Sequence, residues 1–354
     1  MNTSVYEDKC IGAFLGTAIG DALGWPNEMR SQIETRYTGN SSGFIKWSRS
    51  QGGRFWNHSE TIFPGEYSDD TQLTLAIARC LLKGSKWNVY FIRNELPYWL
   101  QYERGGGSAV KKAAKYWAKH EKEPWTQNDK SAVLDYFNAG GNGAAMRILP
   151  HVVANLDGDI ENVMKDVLRD SMYTHGHPRA LIGATCYAYA LWYLAHKEGT
   201  LAYGELVEAV LMNCDIWGSL RIVSQEWINI ASESINRDYY DLWDECLKCT
   251  IENLRIIKET LNKGLLDVGR DAIDRIGGLK KSINGAGDIA AVAAIYFASK
   301  YASNPSQGIK EAAFMTGIDT DTIASMVGGL LGILLGSKWI PVEWRNVQDS
   351  DYLC

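Results

Sequence analysis

The chain has little positive charge to spare. Its 36 Lys and Arg residues are outnumbered by 42 Asp and Glu, giving a net charge of −6, so it lacks the basic excess that draws proteins to nucleic-acid phosphates. Long apolar runs are missing as well. The uncharged stretches 180–195 and 322–337 fall short of the roughly 20 residues needed to cross a bilayer. The opening MNTSVYEDKC puts acidic side chains where a secretory leader would be basic and then apolar. The seven cysteines (Cys10, Cys80, Cys186, Cys214, Cys246, Cys249 and Cys354) are odd in number and irregular in spacing, which is no disulfide framework. Cys246-Leu247-Lys248-Cys249 has redox or zinc spacing. No second pair or nearby histidine completes a four-ligand site, so two thiols on a helix are the simpler reading. A cytoplasmic protein without membrane or nucleic-acid partners is expected.

Strand signals are also scarce. No alternating runs joined by two-residue turns occur, and there is no strand–helix–strand rhythm, internal repeat or low-complexity tract. A Walker-type lysine loop and a strand-flanked G-x-G-x-x-G are absent. Gly39-Asn40-Ser41-Ser42-Gly43 fits the G-x-S-x-G pattern, but it lacks the strand before and helix after that a nucleophile elbow requires.

Helical periodicity is present throughout. With 46% hydrophobic and 22% charged residues, the composition is that of a folded globule and not a disordered chain. Ile11, Phe14, Leu15, Ala18, Ile19, Ala22 and Leu23 follow one helical face. Gly12, Gly16, Gly20 and Gly24 form a second stripe on the same segment. Glycine costs about 1 kcal/mol inside a helix, so the stripe predicts another backbone packed very close. Further helices are expected at 71–82, 89–102, 109–120, 178–196, 206–213, 239–262, 289–302 and 322–335. The expectation is one compact all-α domain over 1–354, with residues 30–65 a lid or loop insertion before the first acidic cluster.

Two acidic clusters, Ser68-Asp69-Asp70-Thr71 and Asp319-Thr320-Asp321-Thr322, stand at the heads of apolar helices far apart in the chain. One acidic residue there is an ordinary helix cap, and Asp69 with Gln72 resembles a capping box. Capping needs one acceptor, whereas each cluster carries two carboxylates and a hydroxyl. Adjacent carboxylates repel unless a cation or proton offsets them. Brought together, the clusters would supply hard oxygen ligands for two Mg²⁺ or Mn²⁺ ions, which polarise hydroxyls and activate water. Asp21, on a buried helix, must be paired, and a structural anchor is the favoured reading. Glu28 follows Trp25-Pro26-Asn27, where proline should end the helix and leave the side chain to face a cavity as acid or base. Arg104-Gly105-Gly106-Gly107-Ser108 and Gly140-Gly141-Asn142-Gly143 could form backbone nests for a diphosphate, or be plain turns. His175 could donate to a substrate, while His177 reads as exposed.

Taken in order, Gly12–Gly24, Tyr67-Ser68-Asp69-Asp70-Thr71-Gln72-Leu73, Gly141-Asn142-Gly143-Ala144-Ala145-Met146-Arg147, Thr174-His175 and Asp319-Thr320-Asp321-Thr322 resemble the ADP-ribosylglycohydrolase family. The resemblance implies an all-α fold, a binuclear Mg²⁺ or Mn²⁺ centre, and hydrolysis of the anomeric bond between ADP-ribose and an acceptor. It implies Ser68, Asp69, Asp70, Asp319, Asp321 and Thr322 as metal ligands, with Asp69 and Asp70 also near the catalytic water. Glu28 matches the family's catalytic or gating glutamate. Gly105, Gly107, Ser108, Gly141, Asn142, Gly143 and His175 fall where the family holds diphosphate and riboses. The implied partners are an ADP-ribosylated protein or small molecule and a cognate ADP-ribosyltransferase. Ile318, where the family often has glycine, departs from the pattern, and no adenine-stacking side chain is assigned. The alternative is a non-catalytic ADP-ribose-binding or immunity protein that blocks an ADP-ribosylating toxin.

Overall fold

The computed structural model describes residues 3–28, 43–51, 58–220, 223–264 and 269–354. Its fold is all-α, and the sheet among the described residues is one two-stranded ribbon. Six helices frame the site: α1 (Thr3–Gly24), α2 (Asp69–Leu81), α3 (Ser108–Trp117), α4 (Pro178–His196), α5 (Gly287–Tyr301) and α6 (Thr320–Leu335). Helices α4, α5 and α6 are apolar all round and buried along nearly their whole length, as core helices must be. No described helix is long and apolar enough to cross a membrane.

The glycine stripe on α1 faces α6. A Cβ placed on Gly16 would lie 2.2 Å from the Gly328 carbonyl oxygen, and one on Gly328 would lie 1.9 Å from that of Gly16. Gly20 meets the Ala324 backbone at 2.0 Å and Gly24 meets Thr320 at 2.2 Å by the same measure. Only hydrogen fits between the two backbones, which justifies the helical cost of these glycines. The contact ends where it matters: Thr320 Oγ1 donates to the Gly24 carbonyl at 2.9 Å, closing α1 beside the start of α6.

One helix expectation needs correction, and the expected lid or loop insertion carries a ribbon. Residues 89–102 are not one helix but Trp87–Tyr90, a wide π turn over Phe91–Glu95, and Leu96–Trp99. Pro97 has no N–H for the preceding turn, and the wider turn absorbs the break. Within 30–65, residues 30–42 and 52–57 lie outside the described residues. The rest contains β1 (Trp47–Gln51) paired antiparallel with β2 (His58–Ile62), Trp47 opposite Ile62. These strands are mostly polar, so periodicity did not announce them. An isolated ribbon is marginal. This one is braced by Trp47 edge-on to Trp25 at 5.1 Å and by Arg49 above the Trp25 ring at 5.5 Å. Glu60 completes the brace, receiving Arg104 at 3.1 Å.

Candidate active site

The two acidic clusters meet at the C-terminal end of α1. Asp21, fully buried, accepts from the Ser68 N–H at 2.9 Å, the Thr71 N–H at 3.0 Å and the Thr71 hydroxyl at 2.7 Å. It therefore clamps the start of α2 onto α1, the anchoring role anticipated for it. Ser68 caps α2, its hydroxyl accepting from the Asp70 N–H at 3.5 Å. The capping-box reading of Asp69 and Gln72 fails. Gln72 instead donates to Tyr102 O at 3.0 Å and accepts from Trp99 Nε1 at 3.0 Å and the Arg104 N–H at 3.2 Å. Those bonds fix the first glycine loop.

The start of α6 arrives opposite. Thr322 Oγ1 donates to Asp70 Oδ2 at 3.3 Å, and Ser68 Oγ stands 3.4 Å from the same oxygen. Asp319 occupies the cap position but its side chain does not cap. It accepts instead from Asn142 Nδ2 at 2.9 Å. Asp69, Asp70, Asp319, Asp321, Thr322 and Glu28 all line one cavity of about 360 Å³. Ser68 does not; it is buried behind Asp70.

This cluster is electrostatically unbalanced. Burial raises the carboxyls of Asp69, Asp70 and Asp321 well above their usual range, and neighbouring carboxylates push the same way, Asp21 on Asp69 and Asp70 and Glu28 on Asp321. Glu28 is pushed up to about 7, by burial and then by Asp319. Asp70 Oδ1 is buried with no hydrogen-bond partner. An orphaned carboxylate oxygen among carboxylates and hydroxyls fits a hard divalent cation, which takes oxygen donors only. Among the described residues, no three His, Cys, Asp or Glu side chains form a preassembled metal cluster. The two acidic segments are linked through the Thr322 hydroxyl, which donates to Asp70 Oδ2.

The opposite wall is built from glycine. Gly105, at φ +94°, passes so near Asp69 that a Cβ would stand 3.1 Å from its Oδ1. Gly107 and Ser108 continue this wall into α3. Gly141, Asn142 and Gly143 form the facing wall, held by Asn142 N–H to Gly285 O at 3.0 Å and Gly287 N–H to Gly140 O at 3.1 Å. The nest reading is thereby narrowed, because the Asn142 N–H is spent on Gly285. The Gly106 N–H is spent on Glu103 at 3.1 Å. Gly285 also lines the cavity without having been anticipated. A Cβ there would stand 3.3 Å from Asp319 Oδ2, a close approach that no sequence pattern signals.

His175 reaches the cavity and is almost fully buried. Burial, then the Arg147 cation, depress it to about 3, so it is neutral at physiological pH. His177 is half-buried, not exposed, and caps α4 by accepting from the Arg179 N–H at 3.2 Å.

Behind this wall lies Arg147, fully buried, bound to Asp170 Oδ1 at 3.0 Å. Burial alone would raise Asp170, but Arg147 and a contact from His151 outweigh it and hold the carboxyl below its usual value. The signal for this pair was an arginine inside the apolar run Ala144–Pro150, since a buried charge demands a partner. Breaking such a pair strands the other charge. Arg147→Met is expected to cost about 3–5 kcal/mol, read as a lowered urea midpoint. An unchanged midpoint would mean Asp170 finds its balance elsewhere.

Helical layers closing around an acidic cavity define a class of protein in which helix starts, and not strand ends, present the chemistry. The ADP-ribosylglycohydrolase family model matches residues 2–353, and the chain belongs to that family. It is 31% identical over 184 residues to the ADP-ribosyl-[dinitrogen reductase] glycohydrolase of Rhodospirillum rubrum, covering 51% of this chain and 55% of that protein. It is 24% identical over 195 residues to an ADP-ribosylarginine hydrolase of Serratia proteamaculans (strain 568), covering 53% and 47%. These matches span about half the length of the named relatives. A solved structure titled ADP-ribosylglycohydrolase-related protein complex shares the fold at a TM-score of 0.62 and 20% identity, covering 99% of this chain and 95% of that one.

Proposed function

We propose that this protein is a divalent-cation-dependent hydrolase that releases ADP-ribose from a modified acceptor by cleaving the bond at the anomeric carbon. The observation that carries the reading is the meeting of Asp70 and Thr322, from opposite ends of the chain, at 3.3 Å on an acidic cavity walled by glycine backbone. The names of the relatives support the same chemistry.

Asp69, Asp70, Asp319, Asp321 and Thr322, which line the cavity, would hold two Mg²⁺ or Mn²⁺ ions, while Ser68 caps α2 behind them. Such ions supply Lewis-acid polarisation of sugar hydroxyls and of the attacking water. The chain's own contribution is orientation. Asp21 fixes the start of α2, Asn142 fixes the Asp319 carboxylate, and the Gly20–Ala324 and Gly24–Thr320 approaches fix the two helix starts against each other. Glu28, with its proton affinity near neutral, is placed to hold or release a proton at the leaving acceptor. One of the pair Asp69 and Asp70 takes the single proton given up by the incoming water. Cleavage at an anomeric carbon passes through an oxocarbenium-like state that carboxylates stabilise. Gly105, Gly107, Ser108, Gly141, Gly143 and His175 form the walls against which the diphosphate and riboses lie.

The test is release of free ADP-ribose from a panel of arginine-, serine- and base-linked substrates, with Mg²⁺ or Mn²⁺ and after chelation. One linkage is expected to turn over, with loss of at least about a thousandfold on chelation. Full activity in chelator, or ADP-ribose binding with no turnover on any linkage, would refute the hydrolase.

A further inference from the structure

The cavity wall at His175 is backed by a hydrogen-bonded chain. Asp170 Oδ1 accepts from Arg147 Nε at 3.2 Å and Nη2 at 3.0 Å. Arg147 Nη1 donates to Gly143 O at 2.7 Å, and Nη2 also donates to Thr174 Oγ1 at 2.9 Å. Thr174 Oγ1 lies 2.7 Å from His175 Nδ1. All four side chains are buried, at 2% exposure or less.

We propose that Thr174, primed by Arg147, locks His175 in its Nε2–H tautomer, as a fixed hydrogen-bond donor to a phosphate or sugar oxygen of the ligand. Identifying that ligand as ADP-ribose rests on the function proposed above; the tautomer does not.

A single proton decides the tautomer. A threonine hydroxyl has one to give, and guanidinium only donates, so Arg147 takes a lone pair and leaves the proton free. Two acceptors are in reach: Ser171 O at 3.3 Å and His175 Nδ1 at 2.7 Å. Ser171 O already receives the Thr174 N–H at 3.1 Å and the His175 N–H at 2.9 Å. The shorter and less crowded acceptor is Nδ1, and a cation bonded to the hydroxyl oxygen makes its proton a better donor. A neutral imidazole that accepts at Nδ1 carries its proton on Nε2. Among the described residues, Nε2 has no hydrogen-bond partner. It faces Gly141 and Gly143, where added Cβ atoms would lie 3.9 and 3.5 Å from it. Glycine at both positions leaves the donor open to the cavity. Thr174 and Arg147 are thus positioning residues, acting through His175.

Selective ¹⁵N labelling of the six histidines and long-range ¹H–¹⁵N correlation read the tautomer in the intact protein, with His175 assigned by its loss in His175→Asn. A pyridine-type Nδ1 and pyrrole-type Nε2 are expected. Thr174→Val should mix the two patterns and weaken binding of free ADP-ribose, measured calorimetrically with Mg²⁺, by about tenfold; Thr174→Ser should restore both. A pyrrole-type Nδ1 in the wild type overturns the proposal whether or not Thr174→Val folds, and so does a Thr174→Val protein with the wild-type pattern and affinity. The expected tautomer in a protein that binds no ADP-ribose would uphold the tautomer and instead refute the function.

Discussion

Asp70→Asn and Asp321→Ala are expected to lower the rate of ADP-ribose release by a thousandfold or more while the protein stays folded. Each carboxylate is buried against others of like charge, and Asp70 keeps one oxygen unpartnered. Such groups weaken a fold unless a cation offsets them. Neutralising one therefore relieves repulsion while removing a ligand, so the melting temperature without cation should stay level or rise. With Mn²⁺ at about a hundred times its dissociation constant, the wild type should gain about 2.7 kcal/mol by mass action, and the variants should gain far less. Thermal melts with and without Mn²⁺, run beside the rate measurement, separate the two effects. A variant turning over near the native rate would take that residue out of the cation site.

The second large effect lies away from the chemistry. Gly20→Ala would drive its methyl to 2.0 Å from the Ala324 carbonyl oxygen and 2.3 Å from its carbon. Neither backbone can yield, because Gly16 against Gly328 and Gly12 against Gly332 bind the same two helices on the same side. Helices α1 and α6 must part instead, at a cost of about 3 kcal/mol or more, a large share of the roughly 5–15 kcal/mol that holds a domain folded. Parting also shifts Asp21, the next residue, and with it the Ser68 and Thr71 bonds, and draws Thr322 away from Asp70. Loss of stability and loss of activity should therefore appear together. A Gly20→Ala protein with the native denaturation midpoint would show that the two backbones are not in contact.

Much of this fold was legible because its strongest elements are locally determined. The run 178–196 forms a helix with those same limits: proline suits the first turn, and the following residues are apolar on every face. The glycine stripe announced a close backbone because nothing else explains four glycines at helical spacing. Other elements left weaker traces. The ribbon is polar on both strands and is held by Trp25 and Arg104, residues remote in sequence. The helices Ile160–Met172, Gln225–Ile235 and Pro305–Phe314 went unremarked, although Asp159, Ser224 and Pro305 start them. The site was legible by type and not by role. Asp319 was expected among the acidic ligands and lines the cavity, but its hold by Asn142 was not foreseen. Gln72 read as half of a capping box and is the brace of a loop. Arg147 had no assigned role and backs the wall at His175.

By itself the sequence determined the strongest helices, such as Pro178–His196, that two acidic starts exist, and that one helix face admits only another backbone. Those follow from periodicity, capping preferences and the size of a hydrogen atom, all readable within a few residues. Tertiary structure alone decided that Asp70 and Thr322 touch, that Ser68 and Thr71 are the groups Asp21 clamps, and which N–H groups of the glycine loops are already taken. These depend on partners up to 252 residues away, and a side chain's role is set by what the fold brings within hydrogen-bond reach.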